Sequence, residues 1–250
     1  MHKIKIIGHR GAVGYEPENT LRSISKAMAL GADMIEVDIL VLPSGQIILM
    51  HDDRVDRTTN GQGLTLDISF DELRKLDAGK GERIPTLQEA IDLIDSRVPL
   101  VVELKNPGSA QPVAQLLQQY LNQGWKADRF IVSSFNHPEL RAFKTLLPSV
   151  NTAALLYSIP LDYAGCCIPL GANIVAPATD IITPEFVVDA HQRGLLLYAW
   201  VWQPVYEEET RRLYAMGVDG IYTDFVDKTR ETITGRMRTM PNARDLIVQY

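Results

Sequence analysis

The chain has 250 residues, 46% of them hydrophobic and 22% charged, enough for one large buried core or two small ones. A net charge of −6 argues against nucleic acid or an anionic membrane as the main partner, and no apolar run approaches the roughly 18 residues that span a bilayer. The adjacent Cys166 and Cys167 offer no disulfide framework, and residues 1–7 leave no room for a signal-peptide core, so a cytoplasmic protein without stable membrane insertion is expected.

Residues 3–8 form a short β-rich run, followed by a loop and an amphipathic stretch over 20–30 that Gly31 ends with a left-handed cap. Residues 33–40 and 46–50 read as strands joined by the turn Pro43-Ser44-Gly45. Residues 52–85 then break the rhythm: they are polar, rich in turn signals and long for a connection inside a compact domain. Further strands are expected at 100–104, 129–133, 152–157, 172–176, 195–201 and 220–222, with helical patterns between them. Ser69-x-x-Glu72 and Thr86-x-x-Glu89 are capping boxes, Thr183-Pro184 opens a helix that Gly194 stops, and Gly217 ends the helix before the last strand. Continuous apolar strands alternating with helices imply a parallel sheet buried on both faces. About eight such units match a (β/α)₈ TIM-type barrel, with an inserted excursion after the second strand region; an open doubly wound sheet is the alternative. The chain reads as one domain over 1–250, and the excursion, about 52–85, is kept inside it.

The chemistry-bearing residues fall where apolar segments end. Glu36 and Asp38 are two apart on a strand, so both carboxylates leave the same face, and Glu103 and Lys105 share a face in the same way. His9 and Arg10 follow the first strand, and His51 follows the apolar run 47–50. In a barrel these positions gather at the C-terminal mouth, where such folds carry their sites. Three inward acids repel one another unless neutralised, and a hard divalent cation, Mg²⁺ or Ca²⁺, suits an all-oxygen donor set. Neutralisation by Arg10 and Lys105 in a purely structural network is the competing reading. Asn19 reads mainly as a helix cap, and His137, His191 and the cysteine pair as structural.

These residues stand in motifs: Gly8-His9-Arg10-Gly11, Pro17-Glu18-Asn19-Thr20, Glu36-Val37-Asp38, His51-Asp52, Asp56-Arg57-Thr58-Thr59-Asn60-Gly61, Leu76-Asp77-Ala78-Gly79, Ile84-Pro85-Thr86-Leu87 and Gly217-Val218-Asp219-Gly220-Ile221. The series closely resembles that of the glycerophosphodiester phosphodiesterase family, through most of the chain. The resemblance implies a barrel enzyme that cleaves glycerophosphodiesters, small-molecule substrates, into sn-glycerol 3-phosphate and an alcohol. It further implies that His9 and His51 are the general acid/base pair, that Glu36, Asp38 and Glu103 hold the divalent cation, and that Arg10 and Lys105 contact the phosphate. Trp200 keeps the family's aromatic position and shares a strand face with Trp202, which places the pair to wall the substrate's alcohol end, with buried aromatic packing as the competing reading; Gln203 departs from the family's usual asparagine. The acid and base roles of the two histidines stay open, as does the nucleophile, water or the glycerol 2-hydroxyl, and His51 is a further candidate for touching the metal. Residues 228–250 extend past the last strand and read as a surface helix or a subunit contact, which would make a homo-oligomer.

Three other functions fit parts of this inventory. A Schiff-base aldolase would use Lys105 but needs neither paired histidines nor an acidic trio. A non-catalytic phosphate-binding barrel would not need both His9 and His51. Lysophospholipase D-type cleavage keeps the chemistry and changes the substrate.

Overall fold

The computed structural model describes residues 4–201 and 207–236. The chain opens with β1 (Lys5–Gly8), α1 (Leu21–Ala29), β2 (Met34–Val41) and β3 (Ile47–Leu49). After the short α2 (Phe70–Leu73) come α3 (Leu87–Ile94), β4 (Leu100–Leu104), α4 (Ala110–Asn122), β5 (Phe130–Ser134), α5 (His137–Leu146) and β6 (Asn151–Leu156). The described chain closes with β7 (Ile174–Pro177), α6 (Pro184–Gln192), β8 (Leu196–Ala199), α7 (Glu207–Met216), β9 (Gly220–Thr223) and α8 (Val226–Arg236).

Eight of these strands form a closed parallel ring, because β1 pairs with both β2 and β9. Closure decides against the open sheet and makes the fold a TIM-type barrel. Strand alternation separates two apolar layers. Ile7, Met34, Val101, Ile131, Tyr198 and Tyr222 fill the barrel interior, while Ile35, Val37, Val102 and Val132 face outward onto helix residues such as Ile24, Ile91, Leu117 and Phe143. Between β6 and β7 the expected α-helix is a 3₁₀ helix, Tyr163–Leu170. Pro169 removes a donor inside it and Gly165 weakens the ladder, which explains the departure. Cys167 is buried in this element and both cysteines are free, as packing residues would be.

β2 continues past the barrel rim, and β3 returns antiparallel along it, pairing Val41 with Ile47 and Ile39 with Leu49. His51 is therefore not at the end of a barrel strand. The hairpin folds back, and the Met50 N–H donates to the Asp38 carbonyl, so His51 is delivered down to the level of the inward acids. The excursion that follows is polar outside but has an apolar floor of Leu40, Ile48, Val55, Leu73 and Ile84, which orders it against the β2–β3 hairpin.

Both predicted capping boxes form. Thr86 Oγ1 accepts from the Glu89 N–H at 3.1 Å and Glu89 Oε2 accepts from the Thr86 N–H at 2.7 Å, and the same Glu89 carboxylate takes both ends of the Arg74 guanidinium at 2.7 and 2.8 Å. Thr86→Ala is expected to cost about 1 kcal/mol of stability, read as a lower urea midpoint with unchanged slope. Among the described residues no helix is long and apolar enough to cross a membrane. Of the 228–250 tail, residues up to Arg236 lie in α8; residues 237–250, like His2, Trp202 and Gln203, lie outside the described residues.

Candidate active site

The site grows from the alternation of β2 and β4. Glu36 and Asp38 point inward between the outward Ile35, Val37 and Ile39. On β4 the inward series runs Val101, Glu103, then Lys105 just past the strand. The parallel register sets Asp38 directly beside Glu103. Carboxylate oxygens of Glu36, Asp38 and Glu103 all lie within 4.8 Å of one another, and Glu36 and Asp38 are only 3% and 1% exposed.

Such crowding strains the ionised forms. Burial, together with the Asp38 and Glu103 charges, pushes the Glu36 carboxyl well above the usual range. Burial and the Asp38 charge push Glu103 up to about 7, with Lys105 giving partial relief. Burial pushes Asp38 up too, but Arg10, Lys105, His51 and the Asn19 hydrogen bond outweigh it and hold Asp38 below the usual range.

Arg10 and Lys105 are the cations of the cluster. The Arg10 backbone N–H donates to Glu36 Oε2 at 2.8 Å, and its Nη1 donates to Glu18 Oε1 at 2.8 Å. Its Nε stands 3.2 Å from Asp38 Oδ2 as an ion pair without hydrogen-bond alignment. Lys105 Nζ is 2.8 Å from Glu103 Oε1 and 3.7 Å from Asp38 Oδ1. Arg10 adopts φ 49°, a left-handed conformation that a bulky non-glycine residue adopts only when its surroundings enforce it. Gly11 follows at φ 84°, where an added Cβ would collide with Ser23 on α1. The His-Arg-Gly turn is thus packed tightly against the helix it precedes.

Asn19 does something other than cap. Thr20 is the N-cap of α1, its side chain accepting from the Ser23 N–H. Asn19 sits one residue earlier at φ 55° and turns its carboxamide onto Asp38, donating to Oδ2 at 2.9 Å and accepting from the Asp38 N–H at 3.0 Å. A threonine can cap, but an amide carries its donor and its acceptor on separate atoms and so reaches the carboxylate and the N–H of Asp38 at once, which suits Asn19 to the buried position.

Each histidine is held through Nδ1 by an acid. His9 Nδ1 lies 2.8 Å from Asp224 Oδ1 and His51 Nδ1 lies 2.6 Å from Asp52 Oδ1. Hydrogen bonds from Arg57 and His51 hold the Asp52 carboxyl well below the usual range, so it can only accept. The proton on His51 therefore sits on Nδ1, and Nε2 is left for chemistry. Burial, with Arg10 and Lys105 adding to it, holds the His51 imidazole below its ordinary 6.5, although Asp38 and Asp52 pull the other way.

Trp200, just past β8, forms an aromatic group with Phe135 and Tyr157 beyond β5 and β6. Phe135 stacks on Tyr157 with centroids 4.1 Å apart, and Trp200 meets both edge-on at 5.2 and 5.1 Å. Sequence reasoning named Trp200 but missed its two partners, although Phe135 and Tyr157 continue the inward alternation of Ile131 and Leu155. It gave no role to Asp224, Asp52, Glu18 or Arg57, although the last three stand in the motifs quoted above and Asp224 lies two positions beyond the inward Tyr222. His137 Nε2 donates to the Leu155 carbonyl at 3.0 Å and His191 pairs with Asp219 at 2.8 Å, and neither belongs to the acidic cluster.

The trio fits a divalent cation. Three carboxylates with two of them pushed up, and no thiolate or imidazole in the cluster, form a hard-oxygen donor set of the kind Mg²⁺ or Ca²⁺ takes. In addition the Tyr222 hydroxyl, buried in the barrel and within the field of Glu36 and Glu103, has no hydrogen-bond partner among the described residues. An orphaned polar atom below a carboxylate cluster suits a hydrated ion above it.

A model of the Glycerophosphoryl diester phosphodiesterase family matches residues 9–228. The chain is 35% identical over 235 residues to a glycerophosphodiester phosphodiesterase of Caldanaerobacter subterraneus subsp. tengcongensis, covering 89% of this chain and 94% of that one. It is 31% identical over 250 residues to a glycerophosphodiester phosphodiesterase of Bacillus subtilis, covering 90% and 85%. Its fold is similar to that of an Oleispira antarctica phosphodiesterase solved in complex with the product sn-glycerol-3-phosphate, with a TM-score of 0.84, 30% identity and coverage of 92% and 96%. The ordered motifs, the closed barrel and these matches agree: the chain belongs to the glycerophosphoryl diester phosphodiesterase family of enzymes.

Proposed function

We propose that the protein hydrolyses glycerophosphodiesters to sn-glycerol 3-phosphate and an alcohol, with Glu36, Asp38 and Glu103 holding a divalent cation. The observation that carries the reading is the pair of histidines, each with Nδ1 taken by an acid and Nε2 left over, in one mouth with an acidic trio and two cations. A phosphodiester needs positive charge at its oxygens and proton transfer at both ends of the displacement. When bound, the cation supplies charge neutralisation for the trio and Lewis-acid polarisation of the phosphate.

The chain's own residues do the rest. Arg10 presents a planar fork to the phosphate and Lys105 a point charge. Asn19 keeps Asp38 in one rotamer. His51, held below its ordinary range, starts neutral and takes the proton from the nucleophile at Nε2. His9, oriented by Asp224, then gives a proton to the leaving alkoxide. Trp200 with Phe135 and Tyr157 walls the alcohol end.

Release of glycerol 3-phosphate from glycerophosphocholine and glycerophosphoethanolamine, with Mg²⁺, with Ca²⁺ and with chelator, tests this reading. Metal-dependent release is expected. Silence from the metal-loaded protein on both diesters would overturn it. One feature favours lysophospholipids as further substrates: beyond β6, at the same rim, Tyr157 and Ile159 are half exposed and Leu161 fully so. Such a rim could receive an acyl chain, and lysophosphatidylcholine belongs in the same assay.

A further inference from the structure

We propose that Arg57, on the excursion, is a positioning residue that orients both His51 and Arg10, acting through one carboxylate on each side. The inference rests on the roles given above to those two residues. Arg57 Nε and Nη2 donate to Asp52 Oδ2 and Oδ1 at 2.6 and 2.9 Å. Its Nη1 and Nη2 donate to Glu18 Oε2 and Oε1 at 2.7 and 2.8 Å. Asp52 Oδ1 is the atom that meets His51 Nδ1, and Glu18 Oε1 is the atom that meets Arg10 Nη1. One guanidinium therefore stands between the acid that fixes the proton-transfer imidazole and the acid that fixes the phosphate-gripping fork.

The arrangement uses what arginine alone offers. Two carboxylates are each gripped by two parallel N–H donors from one rigid plane, which an ammonium cannot reproduce. With both edges of the plane engaged, Arg57 has little left for a substrate, so its action is through Asp52 and Glu18. Its side chain is 50% exposed, and ion pairs at such sites contribute little to stability. The excursion nonetheless fixes it: Val55 is buried in the apolar floor, and the Thr59 N–H donates to the Val55 carbonyl. Among the described residues the Arg54 side chain, three residues earlier, makes only an exposed pair with Asp56 at 3.1 Å. It shares the segment without touching the site and is the natural control.

The test reads the His51 ring by ¹⁵N NMR and turnover of glycerophosphocholine in Arg57→Ala, Arg57→Lys and Arg54→Ala, with melting temperature alongside. In the unmodified protein a single Nδ1–H tautomer of neutral His51 is expected. Arg57→Ala should give mixed tautomers and lower kcat roughly 10–100-fold, with a smaller rise in KM from the loosened Arg10. Arg57→Lys should recover little of this, and Arg54→Ala should match the unmodified protein in both readouts. An unchanged tautomer and kcat in Arg57→Ala, or an equal loss in Arg54→Ala, would overturn the proposal. Should the unmodified protein cleave no diester, the functional reading fails while the tautomer comparison still decides the role of Arg57.

Discussion

His51→Ala is expected to lower kcat/KM for glycerophosphodiesters by about 10²–10⁴-fold, and His9→Ala by a similar factor, with little change in melting temperature. Each change removes one of the two imidazoles proposed to transfer protons. The two losses should not multiply in the double variant, because a displacement lacking either transfer already follows a different path. Asp224→Asn is expected to fall less far. The amide can still accept from His9 through its oxygen but no longer stabilises a charged ring. The pH dependence separates the two histidines. A base acts in its neutral form, so activity should rise with pH along a limb set by His51. Because burial, aided by Arg10 and Lys105, holds that ring below 6.5, the limb should lie on the acid side of free imidazole. Steady-state kinetics across pH on the unmodified protein and on Asp224→Asn would check both points. A limb above the free imidazole value would remove His51 from the base role.

The candidate site's acids and its lysine, which stand at fixed spacing, were legible in the sequence. Glu36 with Asp38, and Glu103 with Lys105, are two apart, and a strand turns that spacing into a shared face without reference to the rest of the fold. Capping boxes at Ser69 and Thr86 were legible for the same reason, since each is closed within four residues. Pairings across long separations were not. Nothing local ties His9 to Asp224, 215 positions away, or Arg57 to Glu18, 39 positions away. Only barrel closure brings β9 beside β1, and only the excursion brings Arg57 back over the first loop. The reversal of β3 was hidden as well. A run of apolar residues looks alike in a barrel strand and in a returning hairpin, so the descent of His51 to Asp38 had to be seen in three dimensions. Asn19 misled through its surroundings: next to a helix start an amide reads as a cap, and Thr20 beside it took that task.

A divalent cation is expected to stabilise the protein more at pH 8 than at pH 5, and Glu103→Gln is expected to abolish most of that difference. The sign follows from the carboxyls. Glu103 is pushed from its ordinary 4.5 up to about 7 in the fold, so between those values the folded chain binds more protons than the unfolded one. Its contribution is fully present below about 4.5 and is lost as pH rises through about 7, which burdens the metal-free fold at pH 8 by roughly 3 kcal/mol at most. Glu36, shifted in the same direction by burial and the same neighbours, adds to that burden. A cation takes the place of the missing protons, so its binding releases protons near neutrality and tightens as pH rises. At a concentration about 100 times Kd the gain is about 2.7 kcal/mol, or roughly 5–10 °C in melting temperature for a chain of this size. Calorimetric melting with Mg²⁺, with Ca²⁺ and with chelator, at pH 5 and pH 8, reads the effect without any substrate. In Glu103→Gln the metal-free protein should melt higher than the unmodified one at pH 8, since one repelling charge is gone while the side-chain shape is kept. The added cation should then give little further gain. Equal melting with and without cation at pH 8 would mean that Arg10 and Lys105 neutralise the trio unaided, and the carboxylates would be a structural network rather than a metal site.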